Sequence, residues 1–250
     1  MKRIHSVILF SVLLLFVTGS CHTTYRSTSV HFTDYRIQNG SGIDSGLNAM
    51  IVPYGNEVNK SMNEVLGVAP VSMEKKQPEC DLGNYMVDAF FNMAKEKYAV
   101  QIDGAVFNYG GIRLTQLPAG NVTRGKIFEL MPFDNLLLIQ KIKGDVLQQF
   151  LDHTAAGGGW PLAGITMQIK NKKAVNVLIG GKPLDPAATY TIANSDFLAN
   201  GGDNADMLRA VPRETNGYLM RDALLDYTAR LKSQGKAVTA NIENRVTNAQ

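Results

Sequence analysis

The sequence predicts an α+β domain in which helices pack outside sheet layers. Two observations carry that expectation. Strand-like and helix-like stretches alternate irregularly along the chain, and several of the strand-like runs meet as hairpin-like pairs across short turns. At 250 residues the chain could hold one large domain or two small ones. With 45% hydrophobic and 19% charged residues the composition is that of an ordinary globular protein. The formal net charge of +3 is small and partly sits at the N-terminus. No basic run accompanies it, so a nucleic-acid partner is not expected. No internal repeat is visible.

Residues 1–21 read as an export signal. Lys2 and Arg3 precede a nearly continuous apolar run over residues 4–17, too short for a transmembrane helix of about 20 residues. The run Val17-Thr-Gly-Ser-Cys21 resembles a bacterial lipoprotein signal, which implies that Cys21 carries lipid, including a palmitate-type acyl chain. The expected location is then the bacterial cell envelope, on a membrane and facing the periplasm or the cell surface. With Cys21 acylated, Cys80 has no disulfide partner, and burial as a small apolar residue is its expected fate. Residues 22–42 form a Ser/Thr-rich tether with a short strand at 31–38, and residues 43–74 a helical lead-in. In that lead-in Asp44 or Ser45 can cap a helix whose apolar spacing runs from Leu47 to Leu66, and Pro53 is expected to kink or divide it.

The main domain occupies residues 75–250. Asp81 can cap a helix with a broad apolar stripe, Leu82, Tyr85, Met86, Ala89, Phe90, Met93 and Ala94, which reads as core. A strand over 99–107 delivers Asn108 and Arg113 to a loop. A second strand, 136–142, leads into a helix from Gly144 to His153 with Val146, Leu147, Phe150 and Leu151 inward. Gly157-Gly-Gly-Trp160 reads as a flexible loop. Strands at 164–169 and 174–179 pair around Asn171-Lys-Lys173, and dense turn sequence follows at 180–186. The last amphipathic helix carries Leu219, Met220, Ala223, Leu224, Tyr227 and Leu231.

Three loops stand out chemically. Tyr190-Thr-Ile-Ala-Asn-Ser-Asp-Phe-Leu-Ala-Asn-Gly-Gly-Asp203 runs from an alternating strand into an aromatic, a glycine pair and a carboxylate. Adjacent glycines let backbone approach a ligand closely, while the aromatic and the carboxylate suit a flat, hydrogen-bonding ring. Pro132-Phe133-Asp134-Asn135 again sets an aromatic beside an amide, and Asn108-Tyr109-Gly110-Gly111-Ile112-Arg113 adds a guanidinium. In this order, and with Glu79-Cys80-Asp81-Leu82-Gly83-Asn84 ahead of them, these motifs resemble the C-terminal domain of the 5′-nucleotidases. The resemblance covers about residues 75–246.

The resemblance implies a layered α-β-β-α domain. It further implies that Phe133 and Phe197 sandwich a base and that Asp203 accepts hydrogen bonds from ribose hydroxyls. Asn108 and Asn135 would read polar atoms of base or sugar, Arg113 would meet the phosphate or ribose, and Trp160 would line the pocket. Lys76 is the expected phosphate contact, in a stretch where some relatives carry arginines; a lysine supplies charge there without the planar fork. Tyr109 stands where the family often has glycine.

The catalytic half of the family is not visible. Two-metal phosphate-ester hydrolysis needs several histidine and carboxylate ligands. The four histidines, His5, His22, His31 and His153, form no paired motif, and His153 reads as a surface or half-buried helix residue. Ser195 has no histidine nearby in sequence, and Asp134 and Asp196 read as solvated or backbone-bonded rather than as an acid–base pair. No catalytic residue, metal ligand or cofactor is therefore expected in this chain, two divalent metals being implied only for a partner metallophosphatase. The expected function is the nucleoside- or nucleotide-binding half of a split 5′-nucleotidase in nucleotide catabolism, its hydrolase activity supplied by a separate metallophosphatase chain. The alternative is a non-catalytic nucleoside- or nucleotide-binding surface lipoprotein.

Overall fold

A computed structural model describes Ser29, residues 31–34 and residues 42–249. The leader, Cys21 and most of the tether lie outside the described residues, as does half of the strand expected at 31–38; its described half, residues 31–34, is not a strand. The chain divides into two units, Met1–Asn48 and Ala49–Gln250. Helix α1 (Ser45–Met62) begins in the first and continues in the second. Asp44 caps it, its carboxylate accepting from the Leu47 amide at 2.9 Å. The helix runs unbroken through Pro53 instead of dividing there, and none of its residues is buried.

After α1 come β1 (Val65–Ala69), β2 (Met73–Glu74), α2 (Asp81–Tyr98) and β3 (Gly104–Val106). A 3-10 turn at Tyr109–Gly111 is followed by β4 (Gln116–Leu117), β5 (Gly120–Thr123), α3 (Arg124–Leu130), β6 (Leu137–Lys143) and α4 (Gly144–Ala156). Then come β7 (Leu162–Ala163), β8 (Ile165–Lys170), β9 (Lys173–Ile179), β10 (Lys182–Pro183) and β11 (Thr189–Ser195). The chain closes with α5 (Asp196–Ala199), β12 (Arg213–Glu214), α6 (Met220–Ser233) and β13 (Val246–Asn248).

A five-stranded mixed sheet in the order β12-β6-β11-β3-β7 forms the centre, with β11 parallel to β3 and antiparallel to β6. Side chains of a strand alternate between its faces, so both faces of β11 can be buried if each meets a separate apolar layer. That is the arrangement. Ala193 joins Ala105 and Ile139 in a core with α2 and α6. Its neighbour Ile192 joins Val106 and Ile142 in a second core with α4 and the strands β8 and β9. Those strands belong to a four-stranded sheet, β10-β9-β8-β13, so the domain is the layered α+β arrangement expected. The β8–β9 hairpin turns at Asn171 and Lys172, both with positive φ (51° and 61°). This is the turn form that matches strand twist.

One cap differs from expectation. Cys80, not Asp81, occupies the N-cap of α2, its sulfur accepting from the Gly83 amide at 3.2 Å. Asp81 is the first helical residue and its carboxylate instead accepts from the amides of Leu82 and Glu74. A buried thiol can cap here because Gly83 leaves room: a Cβ on it would come within 2.9 Å of that sulfur. Cys80 is buried and free, and burial pushes its thiol above the usual range.

Candidate functional site

The two central strands β3 and β11 run parallel, so their C-terminal ends open on the same edge of the sheet. The loop after β3 carries Asn108 and Arg113, and the one after β11 carries Phe197 and Asp203. The approach to the antiparallel β6 starts beside them and adds Phe133 and Asn135. Together these residues line one cavity of about 590 Å³, the size range of small-molecule sites. The six share it although they are spread over 96 sequence positions from Asn108 to Asp203.

Each has a different status. Phe133 and Phe197 are 38% and 40% exposed, unusually open for phenylalanines, and both stand outside the two cores. The Arg113 guanidinium lies 5.5 Å from the centre of the Phe133 ring and makes a long 3.4 Å contact to the Gly110 carbonyl. Asn108 is buried, and its amide donates to the Asp203 carboxylate at 2.7 Å. Asn135 donates to Asp196 at 3.0 Å.

Asp196 is structural. The same carboxylate oxygen also accepts from the amides of Leu136 and Phe197, clamping the two aromatic loops to each other. Asp134 pairs with Arg221, which also donates to the Phe133 carbonyl at 3.2 Å. Ser195 is buried as the cap of α5, its hydroxyl accepting from the Leu198 amide at 3.1 Å.

Glycines shape the cavity by what they omit. A Cβ on Gly202 would sit 2.5 Å from the Phe197 ring, and one on Gly111 would sit 2.4 Å from the Phe107 ring. Gly201 at φ 81° turns the backbone so that Asp203 itself adopts φ 51°, ψ 31°, an uncommon conformation for a residue with a side chain.

Two sequence-derived assignments fall elsewhere. Trp160 is 6% exposed in the second core and absent from the cavity wall. Its indole meets Phe150 edge-on at 6.1 Å and His153 at 5.6 Å. The glycine loop before it folds back, with Gly158 and Gly159 at positive φ and the Gln77 amide donating to the carbonyls of Gly157 and Gly159. Lys76 is exposed and lines a different groove, beside Glu74, Glu79 and Asp81. Its neighbour Lys75 is closer to Arg113, but its ammonium donates to the Ile112 carbonyl at 2.8 Å and lies 4.3 Å over the Tyr109 ring. Burial, and then the Arg113 charge, lower the Lys75 pKa. Tyr109 therefore covers Lys75 and does not enter the cavity wall.

The family described as "5′-nucleotidase, C-terminal domain" matches residues 58–210. The chain belongs to the 5′-nucleotidase C-terminal domain family. It is 30% identical over 215 residues to the trifunctional nucleotide phosphoesterase protein YfkN of Bacillus subtilis, covering 77% of this chain and 14% of that protein. It is 31% identical over 155 residues to the 5′-nucleotidase of Vibrio cholerae, covering 60% of this chain and 27% of that one. Among solved structures, the 5′-nucleotidase precursor of Thermus thermophilus superposes with TM-score 0.69 at 25% identity, over 83% of this chain and 44% of that chain. The NAD nucleotidase of Haemophilus influenzae shares the fold, with TM-score 0.64 at 17% identity over 83% of this chain and 42% of that one. The chain thus spans less than half the length of these relatives.

His153 is the residue that reading by sequence undervalued. Its Nε2 lies 2.7 Å from the Asp203 backbone carbonyl, so α4 touches the loop that carries Asp203. Only its position on a helix was visible in sequence. Among the described residues no group of three or more His, Cys, Asp or Glu side chains is arranged to hold a metal ion.

Proposed function

We propose that this domain is the nucleoside- or nucleotide-recognising half of a 5′-nucleotidase system, with hydrolysis carried by a metallophosphatase in another domain or chain. The observation that carries the reading is the convergence of two half-exposed phenylalanines and a carboxylate on one cavity of nucleoside size. An aromatic ring offers a face on which any base stacks, worth about 1–3 kcal/mol per base. Phe133 and Phe197 supply two such faces. Asp203, presented by the Gly201–Gly202 turn and already accepting from Asn108 at one oxygen, can accept from a sugar hydroxyl at the other. Arg113 supplies a cation on the wall, where it can meet a phosphate or the ribose.

Chemistry at phosphorus is not assigned to this chain. It needs water activation and neutralisation of charge on the transferring group, and stacking supplies neither. Among the described residues the cavity lining includes no histidine, Ser195 accepts from the Leu198 amide, and Asp196 from two backbone amides and Asn135. The work of the domain is to hold the base and sugar so that the phosphate projects toward a partner's metals. A lipid on Cys21 would keep it at the envelope surface beside that partner, raising their effective concentration.

Calorimetric titration of the chain with adenosine and adenosine monophosphate tests the reading. Saturable one-to-one binding is expected for both, with no turnover of the monophosphate until a metallophosphatase and divalent metal are added. Metal-dependent turnover by the chain alone, abolished by a change in one of its own residues, would overturn it.

A further inference from the structure

Asp203 hangs between two tethers that come from different parts of the fold. Asn108, after β3, holds the carboxylate. His153, in the last turn of α4, meets the backbone carbonyl at 2.7 Å. A carbonyl oxygen only accepts, so Nε2 is the protonated nitrogen of that imidazole. The ring in turn stands perpendicular to the Trp160 indole, at 88° and 5.6 Å, and that indole is fixed edge-on against Phe150 in the second core. Asp203 needs such support. It holds φ 51° and the next residue, Asn204, φ 62°, two consecutive left-handed residues with side chains on an exposed stretch.

From this geometry we propose that His153 is a positioning residue for Asp203, setting the direction of its carboxylate through its carbonyl, with Trp160 behind it as the fixed wall. The assignment rests on the nucleoside-binding reading above for what Asp203 does. It makes the hydroxyl-dependent share of affinity, rather than stacking, depend on a side chain that lies outside the cavity wall. It also gives Trp160 a place in the site at second hand, through His153.

Two measurements on the full chain test it, using His153→Ala and His153→Gln; the glutamine keeps an N–H donor of similar reach. The first is hydrogen–deuterium exchange over residues 198–208 without ligand. Exchange should quicken in the alanine variant and return close to wild type in the glutamine variant. The second compares affinity for adenosine with that for 2′,3′-dideoxyadenosine. In His153→Ala adenosine binding should fall about tenfold while the dideoxy affinity changes less than about twofold, the size expected for one weakened bond to a carboxylate. Unchanged exchange in His153→Ala overturns the positioning role even if adenosine still binds. Equal losses for the two nucleosides also overturn it. Faster exchange in the variant, with neither nucleoside bound by wild type, would instead sink the nucleoside reading and leave the hold of His153 on the turn standing.

Discussion

Removing the Phe197 ring separates binding from folding. The ring is 40% exposed and belongs to neither core. Forty per cent of an aromatic side chain's roughly 200 Å² leaves about 80 Å² for a ligand to cover. At about 25 cal/mol per Å² that is ~2 kcal/mol, inside the 1–3 kcal/mol span of base stacking. Phe197→Ala should therefore weaken adenosine binding about 30-fold. The other 60% of the ring, about 120 Å², packs on the domain, so the fold should lose up to ~3 kcal/mol but stay folded, because the Phe197 amide still donates to Asp196 and the α5 cap at Ser195 is untouched. Calorimetric titration gives the affinity and thermal unfolding the stability. Unchanged affinity would refute the stacking role, and a melting temperature lowered by much more than about 12 °C would refute the claim that the ring lies outside the core.

Three further outcomes follow from the same geometry. Gly202→Ala should push the Phe197 ring aside, since its Cβ would lie 2.5 Å from it, and weaken adenosine several-fold with little change in melting temperature; a wild-type titration would count against the packing described. Asp88→Asn should destabilise the domain by about 1–3 kcal/mol in urea unfolding, because Asp88 takes both arms of the poorly exposed Arg245 at 2.6 and 2.9 Å and joins α2 to the segment before β13. Stability should also decline in alkali. Burial raises the Cys80 thiol and the Tyr85 phenol, so between the ordinary thiol and phenol values, about 8.5 to 10, and the folded ones the unfolded chain releases protons that the folded chain keeps. That contribution is present below the ordinary values and is lost as pH rises past them, so melting temperature should fall from pH 8.5 to 10.5; a flat profile would contradict it.

The core was legible because periodicity reports burial directly. The stripe from Leu82 to Ala94 is the inward face of α2, and the β8–β9 hairpin turns where Asn171 announces it. The short pieces were not. β1, β2, β4, β5 and α3 run to between two and seven residues, too few to establish a period, and their pairing depends on partners up to 58 positions away. In the site, the aromatic and glycine motifs marked Phe133, Phe197 and Asp203 because each loop pairs unusual residue types at close spacing. Trp160 misled because a tryptophan after three glycines reads as a loop side chain, whereas the loop folds back and buries it. Lys76 misled because charge alone does not fix direction: Lys75 and Lys76 face different surroundings although they are adjacent. His153 was missed because its partner is a backbone carbonyl 50 positions away, which leaves no trace in side-chain spacing.

The central claim is that a nucleoside occupies the cavity between the loops of Phe133, Phe197 and Asp203. A crystal structure of the chain grown with adenosine tests it most directly. The base is expected between the two phenylalanine rings, with the ribose hydroxyls on the Asp203 carboxylate. Adenosine bound at another groove, or an empty cavity with the two rings turned away from each other, would contradict it.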